Sequence, residues 1–220
     1  MTKSRITRIV AATAATLALL VGAIGLLHTP LGKPWLMKIG GCPIDESPAS
    51  AENSRVKTVR VERGTEVAPA HAALGFQLET LDRDGVRAWA SDNNVQCTEK
   101  REATFFACKH VSAAALHRST GADEVDFTFR PGDRKLVSVT TYRFGLSVAE
   151  ARSGFDTATV SLARDLGAPH TRRDSESLAA PYATASLAYR YRDLLVDVTA
   201  TNLPGKGVGL MESYVSGVEM

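Results

Sequence analysis

DEVDFTFRPGDRKLVSVTTYRF, residues 123–144, is the stretch whose reading decides the fold. Its first arm alternates Val125, Phe127 and Phe129 against Glu124, Asp126 and Thr128, the two-residue period of a strand with one buried face. Pro131-Gly132-Asp133 supplies a tight turn, and residues 135–144 return as the second arm. Two arms joined so closely pair antiparallel, because a parallel partner needs a crossover of a dozen or more residues.

Toward the C-terminus, Gly145-Leu146 leads into the strongest helical signal in the chain. Ser147-x-x-Glu150 is a capping box, which satisfies two of the unpaired amides at a helix start. Val148, Ala151, Phe155, Ala158, Leu162 and Leu166 then recur at spacings of three and four, one stripe that faces a sheet. Gly167 and Pro169 end the helix, and residues 170–177 read as polar and exposed. Three more strands are expected at residues 184–191, 194–201 and 207–215, joined by Arg192-Asp193 and by Asn202-Leu203-Pro204-Gly205.

Toward the N-terminus, residues 82–92 read as a helix capped by Thr80 or Asp82, with Val86, Trp89 and Ala90 on one face. Short strands follow at residues 95–98 and 104–111 around a polar turn. A hairpin centred between Glu102 and Ala103 pairs positions whose numbers sum to 205, as those of Cys97 and Cys108 do. Directly opposed residues of an antiparallel pair lie about 4.5–5.5 Å apart, which suits a disulfide. In an oxidising compartment these two are expected to be bonded; two free thiols, or thiols holding a metal with His110, are the alternatives.

The fold class that results is α+β. Two halves, residues 74–144 and 145–220, each consist of a helix followed by an antiparallel meander, packed helix on sheet. Residues 28–73 read as a tether, because Pro30, Pro34, Pro43, Pro48 and Pro69 and the polar runs between them argue against a packed core. Within it, Trp35-Leu36-Met37 suits a membrane surface and residues 54–63 suit a short helix ending at Gly64, in competition with a strand.

Residues 9–27 form a run of nineteen without a charge, and residues 1–8, which carry Lys3, Arg5 and Arg8, precede it. A bilayer core of ~30 Å needs about 20 apolar residues of helix. The flanking cations put the N-terminus in the cytoplasm and the bulk of the chain across the membrane, in the periplasm or outside. Cleavage at Val21-Gly22-Ala23 or Ala23-Ile24-Gly25, giving an exported soluble protein, and lipidation of Cys42 in Ile39-Gly40-Gly41-Cys42 are the alternatives to an uncleaved anchor.

Charge narrows the partners. The chain holds 26 Lys and Arg against 24 Asp and Glu, and its pI is about 8.5. Three of the basic residues and none of the acids fall in the first eight positions, so the remainder is close to neutral. The electrostatic case for nucleic-acid binding is lost with them.

Catalytic chemistry leaves little trace. His28, His71, His110, His117 and His170 are dispersed, with no HExxH pair, and Gly205-Lys206-Gly207 after Pro204 reads as a hairpin turn rather than a phosphate cradle. Asp123, Glu124 and Asp126 suggest a paired-carboxylate or calcium site, but strand alternation makes Glu124 and Asp126 a solvated face. No cofactor and no metal is expected. Tyr189, Arg190, Tyr191, Arg192 and Tyr214 form a possible binding face, since aromatic and arginine residues on an open sheet are enriched at interfaces. The competing reading packs the tyrosines under the helix and leaves the arginines in solvent.

At Gly145-Leu146-Ser147-x-x-Glu150-Ala151 and Leu166-Gly167-Ala168-Pro169 the second half resembles the small envelope lipoprotein domains of the SmpA/OmlA (BamE) type. Those open with Gly-Met-Thr-x-x-x-Val and close the helical segment with Leu-Gly-x-Pro; the helical interval here is about twice as long. The resemblance implies a helix-on-sheet fold of the kind also used by β-lactamase-inhibitor proteins, and a role in binding other proteins. The expected function is therefore that of a membrane-tethered envelope protein with a non-catalytic module for an envelope protein partner. A periplasmic enzyme with a site built from loops is the alternative.

Overall fold

The computed structural model describes residues 47–174, 176 and 178–219. The apolar run 9–27 and Cys42 lie outside them. Among the described residues no helix is long and apolar enough to cross a membrane.

The chain is α+β, and the described residues hold three α-helices and one large antiparallel sheet. Helix α1 (Pro48–Glu62) starts six residues before the expected 54–63. Proline breaks a helix from within, but Pro48 stands at the first helical position, where its missing N–H is no loss, and Ser47 caps the end by accepting from the Ser50 amide at 3.3 Å. Residues 48–62, expected as part of a tether, thus belong to the folded unit. A two-stranded hairpin, β1 (Ala72–Ala73) and β2 (Phe76–Gln77), leads to α2 (Arg83–Asp92), capped by Asp82, which accepts from the Gly85 amide at 3.0 Å.

Four strands follow: β3 (Gln96–Lys100), β4 (Phe105–Val111), β5 (Ala122–Phe129) and β6 (Leu136–Leu146). Helix α3 (Val148–Leu166) carries the capping box between Ser147 and Glu150, and Gly167, at φ 82°, turns the chain out of it. Then come β7 (Thr171–Arg173), β8 (Thr184–Arg190), β9 (Leu194–Leu203) and β10 (Gly207–Ser216). The short edge strand β7 lies in the segment expected to be polar and exposed; its three residues are all exposed, so no apolar alternation marks it as a strand.

The eight main strands run β3-β4-β5-β6-β10-β9-β8-β7, all antiparallel. Each half is a meander, and the two join last strand to last strand across β6 and β10. Cys97 and Cys108 are register partners and are disulfide-bonded. The bond closes a hairpin whose turn residues Arg101, Glu102 and Ala103 are all left-handed, an uncommon conformation for non-glycine residues.

Residues of α2 and α3 bury one face of the sheet. Phe155, Ala158, Leu162 and Leu166 of α3 share a core with Val196, Val198, Leu210 and Tyr214. Around α2, Phe76, Trp89 and Phe127 meet edge to face with ring centres 4.9–5.4 Å apart. Such pairs add about 0.5–1.5 kcal/mol each beyond the area they bury.

Candidate functional site

With α2 and α3 on one face, strand alternation exposes the other. Every strand that sends Val125, Val139, Tyr214 or Val196 into the core sends its intervening residues the opposite way. Two rows cross this open face: Ala107, Asp126, Thr140, Ser213, Asp197 and Ala188, and next to them Lys109, Glu124, Tyr142, Met211, Thr199 and Ser186. Short side chains dominate, and hydroxyls bond across strands, as Thr140 and Ser213 do at 3.0 Å.

Helix α1 covers one end of this face. Its Glu62 lies 3.2 Å from Arg190, which also holds Asp197 at 2.6 Å, and its Glu52 approaches Arg130 at 3.8 Å. Arg60 and Arg63 grip Glu219 at 2.7 and 2.9 Å, and Arg55 donates to the Ser216 carbonyl at 2.6 Å. Only Val59 of α1 is buried. It is buried apart from the main core, as is Leu195, which faces away from Val196 and Tyr214. Charged contacts therefore hold α1 more than apolar area does.

At the opposite end nothing among the described residues covers the sheet. Tyr142 and Phe144 stack at 5.9 Å with a 10° interplanar angle, and Phe144 is 56% exposed. Leu203 at the end of β9 is 41% exposed and Tyr182, whose amide donates to the Asn202 carbonyl, is 73% exposed. Strand alternation puts Tyr142, Phe144 and Leu203 on the open face, whereas Tyr182 stands in the loop before β8.

Asp126, near the middle of that face, is unusual. Its Oδ1 is buried without a hydrogen-bond partner, and burial pushes its carboxyl up to about 6, with the Glu124 carboxylate beside it adding to the shift and Lys109 and Lys100 opposing it. Glu124 itself is ion-paired with Lys109. The solvated acidic face expected from alternation is thus half-buried at Asp126, with one acceptor unfilled.

The tyrosine–arginine face expected at residues 189–192 and 214 does not form. Tyr189, Tyr191 and Tyr214 are buried on the helix-covered side. The Tyr189 hydroxyl donates to the Gly167 carbonyl at 3.2 Å and that of Tyr191 to the Leu166 carbonyl, filling acceptors left open at the end of α3. Arg190 lies on the open side, committed to Asp197 and Glu62, and Arg192 is exposed. Period-two alternation separates the aromatic from the basic residues, so no single surface holds both.

On the helix-covered side the loop after β4, residues 112–121, lies between α2 and α3 with clefts along its flanks. There Arg118 donates to Glu212 Oε2 at 2.7 Å, and the Tyr214 hydroxyl donates to the same oxygen at 3.3 Å. Burial drives the Tyr214 hydroxyl pKa well upward, so it serves as a donor. This cluster was not anticipated, yet Glu212 sits between Leu210 and Tyr214 on the apolar face of its strand, and a carboxylate in that register demands a buried partner.

No protein-family model matches this sequence, and no curated protein or solved structure is similar to it at a significant level. Among the described residues no three of His, Cys, Asp and Glu converge as metal ligands, and the two cysteines of the metal alternative are bonded to each other.

Proposed function

We propose that this chain is a membrane-tethered envelope protein, anchored through residues 9–27, whose α+β domain binds another protein on its open sheet face. One observation carries the reading: a broad antiparallel face, closed by α1 at one end only, presents Tyr142, Phe144 and Leu203 at the other, with the half-buried Asp126 between the two ends. Exposed aromatic side chains are enriched in protein-binding patches. The resemblance of the second half to BamE-type and β-lactamase-inhibitor-like domains implies the same kind of role. Amine crosslinking in intact cells, followed by mass spectrometry, tests it. Adducts to a second protein through Lys100 or Lys109, both on the open side by register, are expected; self-contacts alone at native abundance would overturn the reading.

A further inference from the structure

We propose that the cleft between the first half of α3, residues 118–120 and strand β6 binds a small oxyanion, a carboxylate or a phosphate group. The cleft lies on the helix-covered side, so the inference is independent of the open face. It has a volume of about 420 Å³ and is lined by two guanidinium groups, Arg118 and Arg143, and by the hydroxyls of Ser119, Thr120, Ser153 and Thr157. That volume falls within the range of small-molecule sites.

The cleft sets these two guanidinium groups against two carboxylates, Glu150 and Glu212, so its formal charges balance. Its two carboxylates are already engaged: Glu212 with Arg118 and Tyr214, and Glu150 with the Ser147 amide and hydroxyl at 2.8 and 2.7 Å. Arg143 makes no close ion pair among the described residues, though its charge adds to the Ser147 hydrogen bonds in holding the Glu150 carboxyl below its usual range, and its side chain makes a single long hydrogen bond, 3.4 Å, to Thr120 Oγ1. Arg118 spends one nitrogen on Glu212, which holds it in place, and also interacts with the Tyr214 hydroxyl, while a guanidinium has five N–H donors in all. Two guanidinium forks converging on hydroxyls match the planar, multidentate acceptors of carboxylate and phosphate.

The sequence also makes room for Arg143. Gly154 stands inside α3, where glycine is less favourable than alanine. A Cβ there would come 2.9 Å from Arg143 Nη1 and 2.7 Å from Leu210 Cδ2. The missing side chain lets the guanidinium lie against the first half of the helix.

The full chain in detergent, titrated calorimetrically with sodium phosphate and separately with sodium acetate at constant ionic strength, tests this. Saturable binding is expected for at least one: phosphate alone identifies a phosphate-bearing ligand, acetate alone or with equal affinity a carboxylate. Arg143→Ala should weaken that binding at least roughly tenfold, while Arg87→Ala on α2, whose side chain pairs with Glu99, leaves it unchanged. If Arg143→Ala fails to fold, Arg143→Lys decides, since it keeps the charge and loses the fork. Absence of saturable binding by either anion, or equal affinity in the native protein and the folded Arg143 variant, would overturn the proposal.

Discussion

Replacing Asp126 by Asn removes a carboxyl that the fold holds in an unfavourable state. Its pKa rises from 3.8 to about 6 on folding, so the folded protein favours the neutral form. The stability this gives is fully present below about 3.8 and is lost as pH rises through 6. A shift of about two units corresponds to about 3 kcal/mol. Solvent reaches the half-buried group and screens it, which reduces the expected effect to about 1–2 kcal/mol. Asp126→Asn should therefore be more stable than the native protein at pH 8, by roughly 2–8 °C in Tm for a domain of this size, and should match it near pH 4. Glu124→Gln should give a smaller effect of the same sign, since burial is the main cause and Glu124 the second. Thermal unfolding followed by circular dichroism at pH 4, 6 and 8 measures this. A difference independent of pH, or an Asn variant less stable at pH 8, would refute the reasoning.

Three further outcomes follow from the packing. Arg118→Ala leaves the buried Glu212 carboxylate with Tyr214 alone, and should cost about 3–5 kcal/mol in denaturant unfolding, most of it recovered when Glu212 is also replaced by Leu. Reduction of the disulfide between Cys97 and Cys108, eleven residues apart, should lower stability by about 2–3 kcal/mol, and thiol labelling without reductant should spare both residues. Because charged contacts to Glu219, Arg130 and Arg190 hold α1, hydrogen exchange across residues 48–62 should accelerate when salt rises from about 0.05 to about 0.5 M, while α3 stays protected.

Local patterns made much of this fold legible. The alternation at residues 123–144, the register that brings Cys97 opposite Cys108, and the capping box at Ser147 each depend on neighbours close in sequence, and all three stand in the structure. Pro48 misled because proline both stops and starts helices, and the Ser47 cap beside it was the signal to weigh. The junction of β6 with β10 joins strands some seventy residues apart, and nothing in either strand announces its partner. That junction makes one continuous open face from two meanders. The tyrosines went to the core because alternation sets Tyr189 and Tyr191 with Leu187 rather than with Arg190. Glu212 found its partner in a loop ninety-four residues away, a pairing that sequence spacing does not encode.

Photocrosslinking from the exposed end of the open face tests the central claim most directly. A benzoylphenylalanine at position 144, compared with one at position 160 on the outward side of α3, would be irradiated in intact cells and the adducts analysed by mass spectrometry. The account predicts a discrete adduct to a second protein from position 144 and none from position 160. No adduct from 144, or the same adduct from both positions, would contradict it.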